Sequence, residues 1–163
     1  MPLLQAYAYF AYRYDKIPDA LRALLRAVVI DQGNKKTVKL LADVLKSNNV
    51  IEEIAQQIPM KAPQAPAYAF LSTIAKDHGA IGTSNDLLAA AWRMVPSNCN
   101  FALNLVHNFE LTFEYDRALE VAIQFLKENS SRSVGTASVS VGAADRFTCG
   151  DFAMVCERFV IDR

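Results

Sequence analysis

The sequence predicts an all-α protein of about four consecutive helix pairs, followed by a C-terminal cap or tail. Three observations predict it. Apolar residues recur at three- and four-residue steps, the period of one helix face. Small residues, mostly alanine, sit inside those stripes at repeated offsets. Breaks rich in Gly, Pro, Asn and Asp separate the stripes, and successive pairs begin about 30 to 34 residues apart, the spacing of a helical repeat.

In the first pair Leu4, Tyr7, Ala8 and Ala11 share one stripe, and Ala20, Leu24 and Ala27 share the next. The break near Asp15–Pro18 divides them. Pro18 suits a first helical turn, where its missing N–H has no intrahelical partner to lose. Gly33 and Asn34 are expected to end the second helix. The second pair starts near Lys35, with Val38, Leu41, Ala42 and Leu45 on one helix and Ile51, Ile54, Ala55 and Ile58 on the other. Ser47, Asn48 and Asn49 form its turn, and Pro59 and Pro63 stop it early.

The third pair starts at Ala65. Its first helix packs through Tyr68, Leu71, Ser72 and Ala75, its second through Ser84, Leu88 and Ala91. Gly79 and Gly82 are expected in the turn, and Thr83 or Ser84 at the N-cap of the second helix. Trp92 falls on its buried side. Pro96 closes the pair and sets the start of the fourth at Cys99. There Leu105, Phe109, Tyr115, Ala118 and Leu119 are the packing positions.

Residues 131–145, rich in Ser, Gly and Val, show no helical stripe and read as a linker or a short extended strand. Ser130, Ser131, Ser133, Thr136 and Ser138 lie near Arg132, a stretch that could accept phosphate. Residues 146–163 read as a capping segment. Phe152, Val155, Phe159 and Val160 fit one side of a helix, although a strand remains open.

These offsets resemble the tetratricopeptide repeat, a unit of two helices that packs through small and large residues at set places. The resemblance covers residues 1–130 and is fullest between Phe101 and Ser130. It departs from the family pattern at Val106, where Gly or Ala is usual, and at Phe125, where Ala is usual. Ser130 and Gln32 stand where a closing proline is expected. The resemblance implies a right-handed superhelix that holds a protein or peptide in its concave groove, as a scaffold or adaptor. It also implies that the first helix of each pair lines that groove. The groove residues would then be Gln5, Tyr9 and Tyr12; Lys36, Lys39, Asp43 and Lys46; Thr73 and Lys76; and Asn100, Leu103, His107 and Glu110. The Lys and Asn set with which some family members hold chaperone tails is not matched here. Lys36, Lys39 and Lys46 beside Tyr9 and Tyr12 suggest instead an acidic partner with aromatic or apolar side chains.

Composition bounds the alternatives. The chain of 163 residues is 52% hydrophobic and 21% charged, which suits a folded domain and excludes a disordered one. Lys plus Arg equals Asp plus Glu at 17 each, so a nucleic-acid partner is not expected. Charge is uneven, however. Residues 1–50 hold eight basic and four acidic side chains, and residues 101–130 hold two and five. Self-assembly of the basic first pair onto the acidic fourth pair is therefore an alternative role.

Cys99, Cys149 and Cys156 form no disulfide framework, and a reducing, cytoplasmic setting is expected. With two histidines and no ligand spacing, neither a zinc site nor any cofactor is expected. The N-terminus lacks a basic leader, and no apolar run is long enough to span a membrane. Nucleophile-elbow, phosphate-loop, metalloprotease and dinucleotide motifs are absent from the sequence. His107 reads as a surface or groove residue. Enzymatic activity is not expected of these residues, although they would also suit the recognition part of a larger enzyme.

Overall fold

A computed structural model describes residues 2–31 and 33–130. The linker 131–145, the capping segment 146–163, Cys149, Cys156 and Gln32 lie outside the described residues. Eight α-helices are described: α1 (Pro2–Arg13), α2 (Ile17–Ile30), α3 (Lys35–Leu45), α4 (Val50–Gln57), α5 (Ala65–Asp77), α6 (Ile81–Met94), α7 (Cys99–Leu111) and α8 (Tyr115–Ser130). A 3-10 turn at Ala62–Gln64 leads into α5, and no strand occurs among the described residues. The helices form four consecutive pairs beginning at Pro2, Lys35, Ala65 and Cys99. Three of these starts fall where the repeat spacing places them, at Lys35, Ala65 and Cys99.

The chain divides into two compact units, with the boundary between Leu87 and Leu88, inside α6. In the first unit α1 packs on α2, and α2 on both α3 and α4. In addition α3 meets α1 on one side and α5 on the other. First helices thus touch first helices of neighbouring pairs, and second helices touch second helices. This is the two-layer stacking of a helical repeat. In the second unit α7 packs on α8.

The turns carry the same repeat in the backbone. Each of the four links within a pair holds one residue with positive φ: Asp15 at 56°, Asn49 at 59°, Gly79 at 82° and Phe113 at 60°. They stand 34, 30 and 34 positions apart, so the second interval is the short one. Three turns also share one hydrogen-bond pattern. Lys16, Ala80 and Glu114 donate their N–H groups to the carbonyls of Ala11, Ala75 and Phe109 at 2.8–2.9 Å. The N–H of the preceding left-handed residue bonds the carbonyl three positions back, at 2.9–3.1 Å. This is the Schellman arrangement, which satisfies the last carbonyls of a helix while reversing the chain.

The small packing residues lie where the stripes put them. Ala8, Ala20, Ala27, Ala42, Ala75, Ala91 and Ala118 are fully buried, as are Leu24, Leu41 and Leu45. Tyr68, Leu71 and Ser72 are buried on α5, and Ser84, Leu88 and Trp92 on α6. The Tyr68 hydroxyl donates to the Ile58 carbonyl at 2.8 Å, tying the proline-rich link after α4 to α5. Burial pushes its phenol above the ordinary 10.0.

Several expectations need correction. Tyr7 and Tyr115 are 55% and 49% exposed rather than packed, because each lies on the outer flank of its stripe. Gly82 and Thr83 are not turn or cap residues, since α6 already begins at Ile81. Thr83 instead donates its hydroxyl to the Leu45 carbonyl at 3.0 Å, and Ser84 packs in the core. Asn34 does not end α2, which stops at Ile30; it caps α3 by accepting the Thr37 N–H at 3.2 Å.

Two stability predictions follow from the packing and the turns. Ala118→Leu inserts three carbons at a fully buried contact between α7 and α8 and is expected to cost about 1–3 kcal/mol in urea unfolding. Phe113 holds a left-handed conformation that a bulky L-residue resists, while its ring is 78% exposed. Phe113→Gly is expected to raise the unfolding free energy by about 0.5–1 kcal/mol, net of the extra freedom glycine gives the unfolded chain. A loss of stability in Phe113→Gly would show that the ring makes contacts that outweigh the backbone strain.

Candidate functional site

One hollow of the first unit lies between α1 and α3. Its volume is about 470 Å³, and its walls include Gln5, Tyr9, Lys36, Lys39 and Asp43. Helix geometry builds it. Leu4, Ala8 and Ala11 point α1 at the core, which turns Gln5, Tyr9 and Tyr12 along the flank toward α3. The Asn34 cap starts α3 so that Thr37, Leu41 and Leu45 are buried and Lys36 and Lys39 face solvent.

Two hydrogen bonds join the walls. The Gln5 amide donates to the Thr37 hydroxyl at 2.7 Å, and the Tyr12 hydroxyl reaches the Asp43 carbonyl at 3.5 Å. Thr37 is fully buried, so the first bond satisfies a polar group that would otherwise be stranded. The hollow thus offers two lysine ammonium groups, one carboxylate and the rings of Tyr9 and Phe10. This chemistry suits binding of an acidic or aromatic segment.

The sequence-predicted groove residues divide accordingly. Tyr9, Lys36, Lys39 and Asp43 come together around this hollow, with Tyr12 bonded across its far end. Lys46 is the C-cap of α3 and lies outside the lining. On α5, exposed Thr73 turns its hydroxyl back to the Ala69 carbonyl at 3.2 Å, and Lys76 lies in the last turn. Asn100 and His107 are exposed on α7 in the second unit. The His107 ring stands 3.5 Å from the Glu110 carboxylate, an ion pair only when the imidazole is protonated.

A larger groove of the first unit went unread in the sequence. It measures about 1040 Å³ and is lined mainly by the end of α2, the residues closing α4 and the start of α5. Val29, Ile30 and Phe70 supply apolar wall, and Arg22 and Arg26 supply charge. The signal was present. Val28-Val29-Ile30 is wider than one stripe, leaving Val29 80% and Ile30 63% exposed.

The second unit has a hollow of about 430 Å³ with Trp92, Phe109, Arg117 and Glu120 among its walls. Arg117 lies 4.6 Å over the Phe109 ring and pairs with Glu114 at 2.7 Å. The Arg117 guanidinium, and after it the Thr112 hydroxyl at 2.7 Å, hold the Glu114 carboxyl below the ordinary 4.5.

Among the described residues, no group of three or more His, Cys, Asp or Glu side chains is arranged to hold a metal ion. No described helix is long and apolar enough to cross a membrane. No family model matches the chain, and no curated protein is significantly similar to it. The repeat character therefore rests on the packing order and the turns.

Because its pKa is depressed in the fold, Glu114 favours the folded state above the ordinary carboxylate value. That contribution is lost as pH falls through the depressed value. In an NMR titration the Glu114 carboxyl is expected to show a midpoint below 4.5. The combined Thr112→Val and Arg117→Leu variant should bring it back toward the ordinary value; an unmoved midpoint would argue against both contacts as its cause.

Proposed function

We propose that this chain is a non-catalytic protein-interaction module of tetratricopeptide-like character. In this reading α1, α3 and α5 form the inner layer of a right-handed stack, and a peptide or protein segment lies along it. The observation that carries the reading is the hollow between two neighbouring first helices, with Tyr9, Lys36, Lys39 and Asp43 on its walls. The return of one left-handed residue in each helix–helix turn supports the repeat character. Lys36 and Lys39 attract carboxylates, while the Tyr9 ring, half exposed, accepts an aromatic or apolar side chain. The preferred partner is thus an acidic segment with at least one large apolar residue, presented by another component of a larger assembly.

Peptides selected on the intact chain from a displayed library are expected to pair Asp or Glu with an aromatic or large aliphatic residue. The Lys36→Glu, Lys39→Glu double variant should bind those peptides about tenfold more weakly or worse by fluorescence polarisation, with helix content unchanged. Selection of basic peptides, or equal affinity in the double variant, would overturn the assignment.

A further inference from the structure

Helix α1 presents a second face, which adjoins the hollow only at Phe10. Leu4, Ala8 and Ala11 turn toward the core, and Gln5 and Tyr12 bond to α3. Along the outer side of α1 stand Leu3, Tyr7, Phe10 and Tyr14, which are 84%, 55%, 59% and 76% exposed. Tyr14 follows the last residue of α1, but its N–H still bonds the Phe10 carbonyl at 3.0 Å, so the stripe continues through it. The steps of four, three and four residues are those of a helix–helix seam. Arg13 is the one charged side chain among the twelve residues of α1. Many exposed aromatics with little charge is the composition of an interface core and not of a solvated helix.

We infer that this stripe seats a second copy of the chain, pairing α1 with the partner's α1 about a two-fold axis. Three features select this occupant. The spacing reads the same in both directions, so an antiparallel copy sets Leu3 against the partner's Tyr14 and Tyr7 against the partner's Phe10. A two-fold interface requires such self-complementarity. With a single cation per helix, two like helices meet little repulsion as they approach. The area is also sufficient. Buried aromatic side chains contribute roughly 150–250 Å² each, so the four exposed groups offer on the order of 500 Å² per copy. A pair would bury on the order of 1,000 Å², the level a specific interface must reach. The lysines of the hollow stand on α3 and are not part of the stripe, so reversing their charge leaves the pairing residues in place.

Sedimentation velocity on the full chain, up to about 300 µM and at low and high salt, tests the inference. The chain of 18.0 kDa should sediment as a concentration-dependent dimer of twice that mass, insensitive to salt. The Tyr7→Glu, Tyr14→Glu variant should raise the dimer Kd by about 30-fold or more. A Leu3→Ala, Tyr7→Ala variant, gentler on the fold, should weaken it in the same direction, with circular dichroism showing equal helix content. The Lys36→Glu, Lys39→Glu variant should leave the dimer intact, which separates this interface from the hollow. A monomer at every concentration overturns the inference, as does a dimer that survives both stripe variants. If that surviving dimer dissolves in high salt, the basic first pair docking on the acidic fourth pair is the occupant of the interface instead.

Discussion

Close approach of helix axes is the constraint on which the rest depends. Two helices pack at short range only where the facing side chains are small, and seven of the eight described helices bury at least one alanine, α4 excepted. Ala8 and Ala11 are buried on α1, which packs on α2, where Ala20, Ala23 and Ala27 are buried, and Ala42 and Ala75 are buried on α3 and α5. Ala102 on α7 and Ala118 and Ala122 on α8 are likewise buried where those two helices pack together. Larger residues, such as Leu24, Leu41, Tyr68 and Phe109, fill the space that remains between the stripes. Since a pair so built hides only part of its apolar surface, neighbours must cover the remainder, and the layers follow.

Most of this was legible in the sequence, for a physical reason. Helix starts and stops are local decisions, and the chain marks them with residues whose preferences are steep. Pro18 occupies a first turn and Gly79 takes a left-handed conformation, both as read, whereas Asn34, read as the end of α2, caps α3 instead. The less legible parts are those that local preference does not govern. Phe113 occupies a left-handed position that its side chain disfavours, so its neighbours and not its own preference place it there. Thr83 reads as a cap, yet the helix begins two residues earlier and its hydroxyl serves a carbonyl 38 positions away.

The hollow was partly legible as well. Tyr9, Lys36, Lys39 and Asp43 could be assigned to one face because neighbouring first helices lie side by side, and helical spacing then determines which residues share a wall. Thr73, Lys76, Asn100 and His107 were assigned by the same rule, but they are not among the residues lining this hollow. The groove beside Val29, Ile30 and Phe70 escaped because a packing stripe says what is buried, not which apolar residues are left over. Such leftovers appear only when the stripe is subtracted from the full apolar pattern.

The bond between Gln5 and Thr37 has a consequence for how the array finds its register. Arrays of similar helices risk mispairing, since one alanine-lined face resembles another and a slide of one turn still buries carbon against carbon. A buried polar contact in a mostly apolar seam, backed by the longer bond from Tyr12 to Asp43, removes that degeneracy. Shifted by one turn, the amide would meet a methyl group and the hydroxyl would be left dry, so the wrong alignment loses on both sides. Gln5 and Thr37 therefore act as a tooth and notch that tell α1 which helix to join and at what height.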